Sequence, residues 1–407
     1  MFDELIAGFN PGILKESLGA YFQGISVSTV VMSILALFVV VGLVDKLRGN
    51  KLGYGEPFEM GYRAMGDLAM AVVGIVALSP VLLLLLKPVV TPVYEFFGAS
   101  PAMFPSFIAL DMGGYALSIQ LAGEADWAVG QYSGVIVASM LGITVCFTVP
   151  YALRMMKKED HPILGLGVLI GIVTMPVGCL VGGLLMFFTS TPMTLGQLII
   201  NTLPVIILAV VVALGLWFKR GLMLKIFVVV GKIITFVVTV GPVIAVFQYL
   251  TGIRLPLFYK MVEYDPVLGG VPLEVALLLV GQIAIVLLGA FPLIHFLNKR
   301  LGRAMDLFGK KAGINHQAST GLLTQLASSI PVWSVIDKMN DRGKLFNIAF
   351  AVSGSFVLGD VLAFTGGVNR EMIFPVIVAK LTAGICAIIL AAVLVAKKAD
   401  GAEASKT

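Results

Sequence analysis

Two aspartates sit where an apolar sequence has least use for them. Asp111 lies in Ala109-Leu110-Asp111-Met112-Gly113-Gly114-Tyr115, and Asp360 lies in Gly359-Asp360-Val361-Leu362-Ala363-Phe364. A carboxylate in the middle of a membrane-length apolar run costs roughly 2.5–3.5 kcal/mol on insertion scales, so each asks for a compensating role. Gly113 and Gly114 follow Asp111, and Gly366-Gly367 follow Asp360. Glycine lets backbone unwind and approach a ligand closely. A carboxylate beside freed carbonyls makes a cradle for a small cation. The structural alternative is an ion pair with Lys232 or Lys380, or a helix cap. A second polar group, Gln325, Ser328, Ser329 and Trp333, interrupts another apolar run. Such side chains bond a substrate hydroxyl or simply a neighbouring helix. Asp111, Gly113, Gly114, Tyr115, Gln325, Ser328, Ser329, Trp333 and Asp360 are the candidate substrate-binding residues.

Other chemistry finds little support. His161, His295 and His316 show no metal-ligand spacing, and Cys146, Cys179 and Cys386 read as small packing residues. A membrane-embedded enzyme needs a nucleophile–base pair or a metal cluster in its spans, and none is legible. Neither a cofactor nor a metal is expected, and the chain reads as a non-enzyme. Gly167-x-x-x-Gly171 and Gly178-x-x-x-Gly182 instead offer one helix two small faces for close packing.

The elements that must hold these residues are transmembrane helices. Hydrophobic residues make up 58% of the 407 and charged ones 13%, with mean hydropathy +1.00. A soluble surface needs roughly twice that share of charge. The net charge of +5 belongs to short loops between apolar runs, which argues against nucleic acid as a partner. About eleven apolar segments can each cross a bilayer, near 26–44, 66–86, 103–122, 132–153, 163–188, 197–217, 222–250, 272–297, 318–336, 345–366 and 372–396. The expectation is an all-α polytopic bundle of about 9–11 membrane segments. It comprises a leader at 1–25, amphipathic or disordered, one transmembrane domain at 26–396 and a tail at 397–407.

Loop charge sets the orientation. Lys and Arg concentrate at 45–65, 154–162, 219–225, 299–311 and the C-terminal tail, and are missing from 123–131 and 189–196. The positive-inside rule places the first group in the cytoplasm, with the N-terminus outside and the C-terminus inside. Strict alternation fails at 103–122 and 318–336, so these two are expected to re-enter on the side they left. Eleven plain crossings are the alternative. A weak two-half repeat matches Val135-Ile136-Val137-Ala138 to Val376-Ile377-Val378-Ala379. That match pairs 103–122 with 345–366, in conflict with the choice of hairpins.

Several blocks carry a family likeness. They include Glu56-Pro57-Phe58-Glu59-Met60-Gly61, Gly98-Ala99-Ser100-Pro101-Ala102-Met103-Phe104, Asp111-Met112-Gly113-Gly114, Gly171-Ile172-Val173-Thr174-Met175-Pro176, Leu358-Gly359-Asp360 and Ile373-Phe374-Pro375-Val376. In order and spacing the chain resembles the EutH family of ethanolamine permeases over about residues 56–396. The resemblance implies a bacterial inner-membrane importer of ethanolamine serving its breakdown in a microcompartment. The first 25 or so residues depart from the family, and Ser328-Ser329 and Val361 stand where its pattern has Asn-Asn and His. If those positions touch ligand, the substrate differs. The resemblance carries no binding residues over.

Function is therefore expected to be import of a small polar amine. A protonated amine needs a carboxylate, an aromatic face and a partner for its hydroxyl. A carrier for another amine or a nucleoside-like solute, coupled to H⁺ or Na⁺, remains open, as does a facilitator. The partners are the small solute and the lipid bilayer, and a homo-oligomer is compatible with the sequence.

Overall fold

The computed structural model describes residues 11–108 and 111–404, with backbone alone at 11, 71, 111, 146 and 396–404. Among these residues the fold is helical, with one isolated β-bridge, Asp265 to Gly270. The main helices are α1 (Pro11–Gln23), α2 (Val27–Leu47), α3 (Gly55–Phe96), α4 (Gly114–Ala122), α5 (127–155), α6 (His161–Leu185), α7 (Leu195–Thr251), α8 (Pro272–Ala312), α9 (His316–Thr324), α10 (Ile330–Val335), α11 (Asp341–Ser353), α12 (Asp360–Val368) and α13 (Ile373–Ala404). Six helical stretches among the described residues are long and apolar enough to cross a membrane. The chain is a multi-pass membrane protein.

Capping residues start the helices where the apolar runs begin. The Ser26 hydroxyl accepts from Thr29 N at 3.1 Å, and Thr194 with Gln197 forms a reciprocal capping box. Two expected spans, 197–217 and 222–250, are joined in α7. Only Lys219 breaks the helix there, at φ −137° and ψ 54°. The chain folds back there, since a Cβ on Gly215 would lie 2.6 Å from Met223, so the basic residues at 219–225 mark the junction of two helices as the loop charge implied.

Three expected helices are broken. The 103–122 segment is a turn at Pro101–Met103, a single helical turn at Phe104–Phe107, a further 3₁₀ turn at Asp111–Gly113, and then α4. The 318–336 segment is α9 and α10 with unwound chain between. The 345–366 segment, expected to be one span, is instead α11 and α12 separated at residues 354–359. Its Ser353-Gly354-Ser355 run supplies weak helix formers there. In α5 the stretches Tyr132–Val137 and Thr144–Thr148 widen into π-helix, a form that concentrates at functional sites.

The first two broken segments are hairpins. The mouth of the second is closed by two asparagines. Asn315 donates to Lys338 O at 2.8 Å and Asn340 to Gly313 O at 2.9 Å, so the chain returns to the face it left. The first enters at Ser100 and leaves by Asp126, and both residues line one surface cavity. The hairpins enter from opposite faces. The face of the second carries the Lys157–Asp337 ion pair at 3.3 Å. The face of the first carries Ser190 N donating to Glu371 at 2.6 Å and Gln120 donating to Asp265 at 2.9 Å.

The order long helix, hairpin, interrupted helix, apolar helix thus occurs twice, as α3 to α6 and as α8 to α13. Corresponding helices pack antiparallel. Tyr54 stacks edge-on with His295 at 5.0 Å while Gly61 abuts Leu288, and Gly178 abuts Ala383 while Gly182 abuts Ala379. The two halves are inverted relative to each other, as in many carriers. The repeat pairs 103–122 with 318–336. The short Val-Ile-Val-Ala match paired the wrong elements, because apolar sequence matches by chance.

Among the described residues two large apolar cores result, with a small third cluster of Ile75, Leu117 and Leu121. The larger gathers α5, α6, the first part of α7, the second hairpin, α11 and α13 around Trp333, Tyr132 and Phe346. The smaller gathers α2, α3, the end of α7 and α8, with Leu362, Ala363 and Phe364 of α12. The glycine faces of α6 hold the first together: Gly167 and Gly171 abut Ile348 and Val352, and Gly178 and Gly182 meet α13. That is the small-residue packing read from the sequence.

Candidate functional site

The site is built where the broken elements meet. Between α9 and α10 the chain crosses the unwound 354–359 stretch. Phe356 N donates to Gln325 O at 2.8 Å, and Leu358 N donates to Leu326 O at 2.8 Å. Gly359 is pressed onto the Ala327 carbonyl so closely that an added Cβ would lie 2.0 Å from it. Only a residue without a side chain fits. Asp360 comes next as the first residue of α12, half-buried, with its carboxylate at a helix N-terminus where negative charge is favoured.

Aromatic rings flank this point. Phe364 lies one turn beyond Asp360 on α12, so the two share a face. Tyr115 meets Phe364 edge-to-face at 5.9 Å, and its hydroxyl accepts from Gln131 at 2.9 Å. Tyr115 packs against both apolar cores, so it marks the seam between them. On the other side of the unwound stretch, Phe356 faces Phe147 of the second π segment at 5.9 Å.

The structure joins Tyr115 to α12 through Phe364, and Gln325 to the stretch before Asp360 through Phe356. Gly113 and Gly114 are buried, with Gly113 against Ile75 of α3. Ser329 and Trp333 are buried, and neither Ser329 Oγ nor Trp333 Nε1 has a protein partner. Ser328 is half-buried, and its hydroxyl accepts from Ile330 N at 3.3 Å. Gln325 is buried; its amide nitrogen donates to Asn347 Oδ1 at 2.8 Å, and its amide oxygen has no protein partner. The Asp111 side chain lies outside the described residues, and its backbone turn packs on 138–143 of α5.

Of the lysines, Lys380 is buried and donates to Ser139 O at 2.5 Å, at the end of the first π segment. Lys232 is exposed on α7, contrary to the expectation of an internal partner, because its face of the helix turns out of the bundle. Cys179 and Cys386 are free thiols, and the Cys146 side chain lies outside the described residues. Among the described residues, His, Cys, Asp and Glu form no group of three that could hold a metal.

Phe364, Gln131 and the two π segments were missed. The Ser-Gly-Ser run before Asp360 was the available signal for the break. The π segments have no sequence mark, since Tyr132–Val137 reads as ordinary apolar helix.

Comparison with known proteins gives a consistent picture. A family model described as "Ethanolamine utilisation protein, EutH" matches residues 27–394. A protein of Listeria monocytogenes named "Probable ethanolamine permease EutH" is 43% identical over 364 residues, covering 89% of this chain and 93% of its own length. One of the same name from Escherichia coli is 38% identical over 408 residues, covering 94% and 98%. "Uncharacterized protein YxeR" of Bacillus subtilis is 39% identical over 368 residues, covering 90% and 95%. No solved structure matches the chain.

Proposed function

The chain belongs to the ethanolamine utilisation protein EutH family, and on that premise we propose that it imports ethanolamine, unaltered, across the bacterial cytoplasmic membrane. An alkylammonium resembles the lysine head group, whose pKa is about 10.4, so the solute is charged near neutrality. The charged form crosses lipid poorly and needs a polar passage. Asp360, with Asp111 on the facing hairpin, neutralises the ammonium. Tyr115 and Phe364 present ring faces, with cation–π attraction adding roughly 0.5–2 kcal/mol. Ser328 and Ser329 bond the hydroxyl, with Trp333 beside them.

The observation that carries this reading is a half-buried carboxylate on a helix N-terminus, set in the seam between two apolar cores where both halves unwind. Movement of one core past the other exposes such a site to each face in turn, which makes the protein a carrier rather than an open pore. The basic face is cytoplasmic by the positive-inside rule, giving about nine crossings and two hairpins, with the N-terminus outside and the tail inside. Residues 26–396 act as one transport domain.

Uptake of labelled ethanolamine by cells expressing the chain tests this. Saturable uptake is expected, competed by short alkylammonium ions and unaffected by ethanol. Ser328-Ser329 are smaller than the Asn-Asn of the family pattern and leave more room, so bulkier amino alcohols belong in the competition series. Uptake no greater than in cells with an empty vector contradicts the reading.

A further inference from the structure

Among the described residues, three oxygen-bearing side chains outside the amine site are buried completely and have no protein partner for their oxygens: Thr148 Oγ1, Gln325 Oε1 and Ser353 Oγ. A buried polar atom left unpaired costs roughly 1–3 kcal/mol, so each calls for a partner. They lie in adjoining elements. Gln325 caps the C-terminal end of α9, and Ser353 is the last residue of α11. The unwound turns after these two helix ends are hydrogen-bonded to each other through Phe356 N and Gln325 O. Thr148 ends the second π segment, whose neighbouring residues pack on the end of α11 and the turn after it through two contacts. Thr144 Oγ1 donates to Val352 O at 2.6 Å, and the Phe147 ring meets Phe356.

The helix ends favour a cation, and the buried Lys380, one turn before Gly384 where that residue meets Gly354, directs its ammonium to Ser139 O. A helix C-terminus carries a partial negative charge and unsatisfied carbonyls. Here two C-termini converge, and the side chains added to them are neutral, hard oxygen donors. Unwound carbonyls and half-helix C-termini are the groups that coordinate an inorganic cation in carriers with broken helices. The donors include neither thiolate nor imidazole, which excludes a soft transition metal.

We propose that the crossing of the 325–329 and 353–359 stretches binds Na⁺ through Thr148, Gln325, Ser353 and neighbouring carbonyls. Bound there, the ion ties the second hairpin to α11 and α12 and sets the Asp360 end of the amine site. Na⁺ binding stands without the amine reading, whereas coupling of the ion to amine entry rests on it.

The test uses the purified full-length protein and its uptake in vesicles. NaCl raises the melting midpoint saturably, and KCl at equal ionic strength does not. Ser353→Ala and Thr148→Val each keep the Na⁺-free midpoint, because removing an unpaired hydroxyl costs little. Each raises the Na⁺ concentration for half-maximal effect about tenfold, in melting and in amine uptake alike. Equal shifts with Na⁺ and K⁺, or variants that respond as the parent does, overturn the proposal. Full amine uptake driven by a pH gradient without Na⁺ overturns the coupling and leaves the carrier reading intact. A Na⁺-dependent midpoint in a protein that takes up no ethanolamine upholds the ion site and removes the carrier reading instead.

Discussion

Replacing Gly359 by alanine probes the crossing that everything at the site depends on. The new methyl carbon would lie 2.0 Å from the Ala327 carbonyl oxygen, and that oxygen is backbone and cannot swing aside. Relief requires the two unwound stretches to part by more than about 1 Å, an overpacking that costs roughly 1–3 kcal/mol. Parting lengthens the two 2.8 Å hydrogen bonds from Phe356 and Leu358, each contributing about 1 kcal/mol. The sum is about 3–5 kcal/mol, more than a hundredfold in the population of the crossed state. Melting of the purified variant and its uptake of labelled ethanolamine should both fall sharply. Gly281→Ala is the control, since nothing lies within 4 Å of the added carbon. In a helix interior that change is neutral or stabilising by up to about 1 kcal/mol. A Gly359→Ala protein that melts and transports as the parent does would refute the crossing.

Further expectations concern the packing around the site. Lys344 and Asp160 form a largely buried ion pair at 2.7 Å, so Lys344→Met alone should cost about 3 kcal/mol by stranding the carboxylate. Adding Asp160→Asn should recover part of that, which thermal melting of the single and double variants can read. Gly178→Leu drives a side chain into the Ala379 carbonyl, 2.4 Å from an ideal Cβ, and should abolish folded protein on size-exclusion chromatography. Tyr115→Phe leaves the Gln131 amide without its 2.9 Å acceptor. It should cost about 1–2 kcal/mol in melting, whereas Tyr115→Ala should also raise the KM for ethanolamine by removing the ring.

The membrane fold was legible because hydropathy and loop charge report directly on what lipid will accept. Asp111 and Asp360 stood out for the same reason, and so did the hairpins, through loops that carried the wrong charge for simple alternation. Breaks inside a span were harder. Pro105, Gly113-Gly114 and Pro331 announced two of them, but Ser353-Gly354-Ser355 resembles the small-residue packing common in membrane helices, and the third break passed unnoticed. The two-half repeat showed only weakly, and which elements it pairs was hidden for a different reason. Its halves share an order of elements and a packing geometry, such as Gly61 on Leu288 and Gly178 on Ala383, with little residue identity to betray it. Site residues contributed by contact alone, Phe364 against Tyr115 above all, cannot be read from a single chain because their role exists only once the halves are packed.

Counterflow in proteoliposomes tests the central claim most directly. Vesicles preloaded with unlabelled ethanolamine and diluted into a trace of labelled solute should accumulate label transiently with the parent protein. The Asp360→Asn variant, with an unchanged melting curve, should accumulate little. An overshoot of equal size from Asp360→Asn would contradict the assignment of this carboxylate to the transported amine.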